Sequence, residues 1–149
     1  REAGLEQAAA VAFEQAVRTD ADLAPAWGAL GTSLLRAGDA EGASAALQTA
    51  LRLDPHDVVA RNNLGTILLQ AGAADAAEEM FRTAIRDAPW LAAAHANLGV
   101  VARRRGDLAT AERELRAALR LDPGNDDARF NLATVLSEKG LPAPPPPAR

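Results

Sequence analysis

The segment "ALRLDP" fills residues 50–55 and returns unchanged at residues 118–123. The copies stand 68 residues apart, and half that interval leads to "AIRDAP" at 84–89 and "AVRTDA" at 16–21. One phrase written four times at a period of 34 constrains the fold more than any other feature of the chain. A period between about 20 and 50 residues marks a stacked architecture, in which each repeat buries its apolar face on its neighbours.

Composition narrows the kind of repeat. About a quarter of the 149 residues are Ala and only 3% are aromatic, which favours helix throughout and lets helices approach closely. The absence of Cys excludes disulfides and thiolate metal sites, and leaves the redox compartment unread. No apolar run approaches the 18 residues of a membrane-spanning helix. The net charge of −4, with signs interspersed, gives no footprint for nucleic acid and no polybasic membrane patch. No signal peptide is recognised, the cytoplasm is the expected compartment, and a chain beginning "REAGLEQ" is expected to be a fragment of something longer.

With repeats begun at residues 24, 58, 92 and 126, position 4 holds Trp27, Arg61, His95 and Arg129. Position 7 is Leu30, Leu64, Leu98 and Leu132; position 8 is Gly31, Gly65, Gly99 and Ala133; position 11 is Leu34, Leu68, Ala102 and Leu136. Spacings of three, four and seven put these on one helical stripe, and a small residue at position 8 admits a second helix closely. Position 15 is Gly38, Gly72, Gly106 and Gly140, each a helix stop. Asp39 and Asp107 are placed to cap the following helix, and Asp75 with Glu78 to form a capping box. That second helix carries Ala43, Ala77 and Ala111, then Leu47, Phe81 and Leu115, then Ala50, Ala84 and Ala118. Pro55, Pro89 and Pro123 end it, and Asp57 and Asn125 stand where the next helix needs a cap. "ALRLDP" is therefore the end of the second helix of a pair.

"WGALGTSL", followed by Ala43, Leu47 and Pro55, resembles the tetratricopeptide repeat, whose pattern is W-x2-L-G-x2-Y, then A-x3-F, then P. The resemblance covers residues 4–140, with no Tyr at position 11 and Arg or His replacing Trp in later repeats. It implies an all-α solenoid of antiparallel helix pairs, a right-handed superhelix of about eight helices. The expected organisation is one array over residues 1–140. It divides into a partial repeat at 1–23, complete repeats at 24–57, 58–91 and 92–125, and a capping helix at 126–140. Residues 141–149, "LPAPPPPAR", read as a polyproline II tail; Pro144, Pro147 and Arg149 also fit a Pro-rich ligand for an SH3-type groove.

The resemblance further implies that positions 2, 5, 6, 9, 12 and 13 of each first helix line a concave groove. Position 6 reads Ala29, Asn63, Asn97, Asn131 and position 9 reads Thr32, Thr66, Val100, Thr134. An Asn offers both a donor and an acceptor, so such a ladder can pair with another chain's backbone whatever its sequence. It resembles the repeats of O-linked N-acetylglucosamine transferase, where groove asparagines hold an extended peptide. The alternative is that these Asn contact neighbouring helix backbone or water. Asn62, Arg36, Arg104 and Phe130 join the candidate groove set, with Val59, Leu69 and Leu35 as apolar pockets. Arg103, Arg104 and Arg105 close a first helix, where cations complement the dipole; an acidic partner patch is the other reading. Chaperone-binding relatives need Lys, Asn and Lys where Gly28, Thr32 and Ala93 stand here, so their carboxylate clamp is absent.

Trp27 and its substitute His95 read as core positions, His56 as a turn residue, and Trp90 as filler between repeats or else an exposed anchor. Two His without Cys or a spaced carboxylate suggest no metal, and no nucleophile, base and orienter assemble into a catalytic set. The expected function is therefore a non-enzymatic scaffold that binds an extended protein or peptide partner, without cofactor. Two alternatives stand beside it: a homo-oligomer stacking end to end, or the substrate-recruiting part of a larger enzyme such as a glycosyltransferase.

Overall fold

A computed structural model of the chain describes residues 2–144. The described residues form eight helices: α1 (Glu2–Thr19), α2 (Ala24–Arg36), α3 (Ala40–Leu53), α4 (Val58–Gln70), α5 (Ala74–Asp87), α6 (Ala92–Arg104), α7 (Leu108–Leu121) and α8 (Asp126–Glu138). They group into two compact units, α1–α4 and α5–α8, divided between Ala73 and Ala74. In the first unit α1 packs on α2, α2 on α3 and α3 on α4, while α2 also touches α4. The second unit repeats the scheme, α5 on α6, α6 on α7 and α7 on α8, with α6 touching α8.

The period sets the start and stop of these helices. Gly38, Gly72, Gly106 and Gly140 have φ of +88°, +83°, +79° and +71°, the left-handed region that an L side chain resists. The residue after each donates its N–H back to the last turn: Asp39 to Leu34, Ala73 to Leu68, Asp107 to Ala102 and Leu141 to Leu136, at 2.8–3.0 Å. Carboxylates or an amide start the next helices, because Asp39, Asp57, Asp107 and Asn125 accept from Gly42, Ala60, Thr110 and Ala128. The capping box read from Asp75 and Glu78 gives way to another use, since both carboxylates meet the Arg105 guanidinium.

Packing follows the same repeat. Ala43, Leu47 and Ala50 are fully buried in the first unit, as are Ala111, Leu115 and Ala118 in the second. A Cβ added at Gly31 would come within 2.6 Å of Leu47 Cγ, and one at Gly99 within 2.7 Å of Leu115 Cγ. Position 8 is thus small because the second helix's Leu occupies the space above it.

Position 4 turns out to do one job with three side-chain types. Trp27 Nε1 donates to the Ala21 carbonyl at 2.8 Å, and His95 Nε2 meets the Pro89 carbonyl at 2.9 Å. Arg61 and Arg129 donate to the carbonyls of Pro55 and Pro123. Each reaches six residues back and ties the incoming loop to its helix. Trp27 is accordingly only partly buried, whereas the His95 side chain is 12% exposed and packed inside the unit.

Two further expectations are corrected. Trp90 is 71% exposed, so it fills no gap, and Leu69 is 8% exposed, so it lines no open pocket. Of the tail, residues 145–149, with Pro147 and Arg149 among them, lie outside the described residues.

Candidate functional site

In the first unit the ladder residues of α2 and α4 meet. Asn63 Nδ2 donates to Thr32 Oγ1 at 3.0 Å, and Thr32 Oγ1 in turn donates to the Gly28 carbonyl at 2.9 Å. Thr66 and Thr134 likewise turn back, donating to the carbonyls of Asn62 and Phe130 at 3.1 and 3.0 Å. Asn131 Nδ2 donates to the Asp127 carbonyl at 2.9 Å, and Asn97 is half-buried. The three threonine hydroxyls and the amide groups of Asn63 and Asn131 therefore already have acceptors in the chain. What these two Asn retain for a visitor is the carbonyl oxygen, an acceptor, and the second N–H of the amide. Asn62, placed on the open stripe by its spacing, is instead buried at 6% exposure.

Beside the Thr32–Asn63 pair lies an open pocket of about 400 Å³. Phe13 of α1, Pro25, Gly28 and Thr32 of α2, and Asp57 and Val59 at the start of α4 line it. Sequence reasoning took Asp57 only as a cap and Gly28 only as a missing clamp residue. The available signal was position 5 itself, which reads Gly28, Asn62, Ala96 and Phe130 and so leaves one repeat without a side chain there.

The second unit offers a different surface. Arg103 pairs with Glu138 at 2.9 Å, while Arg104 stands exposed at the end of α6. Arg36 of the first unit pairs with Glu6 at 3.3 Å. Phe130 is 73% exposed on α8. Two pockets here sit one period apart. The first, about 280 Å³, is lined by Arg82, Ile85, His95 and Leu98, and α7 adds Glu114, whose Oε2 lies 2.8 Å from His95 Nδ1. The second, about 220 Å³, holds the equivalent Arg116, Leu119, Arg129 and Leu132, with Arg120 and Pro144 at its rim. Two carboxyls in this unit are held below the usual carboxylate range: Asp107 by hydrogen bonds from Thr110, and Glu112 by those from Lys139 and Arg116. Among the described residues no group of three His, Cys, Asp or Glu side chains could hold a metal ion.

The tetratricopeptide repeat profile matches this sequence over residues 29–93, 75–126 and 96–143. The chain belongs to the tetratricopeptide repeat family. Tetratricopeptide repeat proteins generally bind proteins or peptides. No curated protein sequence matches the chain. Among solved structures it is similar to MamA, at 22% identity and a TM-score of 0.77 over 93% of this chain and 81% of that one. It is similar to PilF of Pseudomonas aeruginosa, at 23% identity and 0.79 over 92% of this chain and 63% of that one. The structure of YrrB, a TPR protein with an unusual peptide-binding site, is similar at 21% identity and 0.69, over 92% and 71%. At these identities the likeness speaks for the tetratricopeptide fold alone. No helix among the described residues is long and apolar enough to cross a membrane.

Proposed function

We propose that this tetratricopeptide repeat chain is a binding module that holds an extended segment of a protein partner against its first helices. The observation that carries the reading is the open pocket beside the Thr32–Asn63 pair, bounded by α1, α2 and α4. An extended backbone brings unpaired N–H groups, and the Asn carbonyl oxygens of the ladder are acceptors suited to them. YrrB, which shares the fold, is a TPR protein with an unusual peptide-binding site, which makes the same use of this scaffold reasonable.

A pull-down with the chain, followed by mapping of the partner's minimal segment, supplies the ligand for the test. Replacing Asn63, Asn97 and Asn131 together by Ala keeps strong helix formers in place, so folding should survive. Each lost hydrogen bond is worth about 0.5–1.5 kcal/mol net, and three together about 3 kcal/mol, roughly a hundredfold in affinity. A folded triple variant that binds within about threefold of the parent would remove the ladder from the binding surface.

A further inference from the structure

We infer that the first unit's pocket selects a basic side chain, a Lys or Arg on the bound segment, with the Asp57 carboxylate as its anchor. This rests on the binding reading above and adds the chemistry of the ligand. The Asp57 carboxylate is divided between two tasks. Its Oδ1 accepts the Ala60 N–H at 2.9 Å and starts α4. Its Oδ2 faces Gly28, close enough that a Cβ there would stand 2.8 Å away. The missing side chain of Gly28 is what leaves this oxygen open to the pocket.

The remaining walls suit a long cationic side chain. Of the nine residues that line the pocket, Asp57 is the only charged one. Phe13, Pro25 and Val59 offer apolar surface for a methylene stem, and Val59 is 51% exposed. Lys and Arg lay such stems on apolar surface while the charged head finds its partner. The pocket also lies at the start of α4, whose dipole contributes roughly half a positive charge. A full negative charge on Asp57 outweighs it, and the capping bond has already used the Ala60 N–H that an anion would seek. The wider field agrees, since residues 1–73 carry nine acidic and five basic side chains.

The test uses the full chain and four end-blocked peptides, acetyl-AAPXPAA-amide with Lys, Arg, norleucine or Glu at X. Binding is read from the amide resonances of Gly28, Thr32 and Ala60 at low salt. The Lys and Arg peptides should bind about fivefold or more tighter than the norleucine peptide, with Glu weakest. Asp57→Asn keeps a side-chain oxygen for the Ala60 cap and should erase that preference while leaving the melting temperature unchanged. Gly28→Ala, which sets a methyl against Oδ2, should weaken the Lys and Arg peptides as well. Equal binding of the norleucine and Lys peptides overturns the cationic assignment and leaves the groove reading standing. If none of the four peptides moves these resonances, the groove reading of this unit falls too.

Discussion

The two units share a frame and differ in charge. Residues 1–73 hold nine acidic and five basic side chains, whereas residues 74–149 hold eleven of each. The whole net charge of −4 therefore sits in the first unit. In the second unit acids meet cations across helices: Arg105 with Asp75 and Glu78, Arg103 with Glu138, and Lys139 with Glu112 at 2.5 Å. Exposed pairs of this kind contribute about 0–1 kcal/mol each, so they neutralise a surface more than they hold it together. Fold and surface charge are thus written at different repeat positions. Positions 8, 15, 20, 24 and 27 repeat their chemistry, and the outward ones let each unit present a different face.

If the frame is shared, matched core changes should cost the same in both units. Leu47 and Leu115 occupy one repeat position and both are fully buried. Leu47→Ala and Leu115→Ala should each destabilise by about 2–5 kcal/mol, read from denaturant midpoints. A cost confined to one of them would break the equivalence. Overpacking should follow at a smaller scale: Gly31→Leu and Gly99→Leu each force side chains into Leu47 or Leu115, at about 1–3 kcal/mol. An unchanged midpoint for either would mean that its helix pair is looser than a Cβ approach of 2.6–2.7 Å requires.

That frame was legible because it rests on residues whose physics is local. Gly at position 15 takes a left-handed φ, Asp39, Asp57, Asp107 and Asn125 cap, and the Leu-to-Gly contact follows from spacing. The surface was harder to read because it depends on what neighbouring helices do with each group. Asn63 stands where the ladder put it, yet its amide is spent on Thr32, 31 residues away. Asn62 sits one residue off and is buried, a distinction that spacing alone does not carry. Trp90 gave no local sign of its exposure, because a loop residue follows no helical period. Position 4 misled for another reason. Its first occupant, Trp27, suggests core packing, while what the indole, imidazole and guanidinium share is an N–H at the end of a planar group.

That shared bond supplies the third comparison. Trp27→Phe in the first unit keeps one aromatic ring but deletes the donor to Ala21 with the rest of the indole, and Arg129→Met in the second deletes the donor to Pro123 together with the ion pair to Asp126. Each should cost about 0.5–1.5 kcal/mol, with faster amide exchange in the loop just before the helix. Unaltered exchange at residues 21–23 and at Gly124 and Asn125 would show that the loops are held by their backbone bonds alone.

The smallest expected effect concerns acid, and it belongs to the second unit. Glu112 on α7 accepts from Lys139 at 2.5 Å and from Arg116 on its own helix at 2.9 Å. Those hydrogen bonds, from Lys139 first and Arg116 second, hold its carboxyl below the ordinary Glu range. A carboxyl with a lower pKa folded than unfolded binds protons more readily in the unfolded chain. Its stabilisation is therefore complete above the unfolded value, about 4.3 for Glu, and fades as pH falls through the lower folded one. Glu112→Gln should flatten that part of the acid limb of a stability profile, and so should added salt, because the cations that hold the carboxylate, Arg116 and Lys139, are open to solvent. The pair in the first unit, Arg36 with Glu6 at 3.3 Å, is a longer contact whose guanidinium is 66% exposed. A Glu112→Gln profile that follows the parent's down the acid limb would show that the hydrogen bonds from Lys139 and Arg116 contribute nothing to stability there.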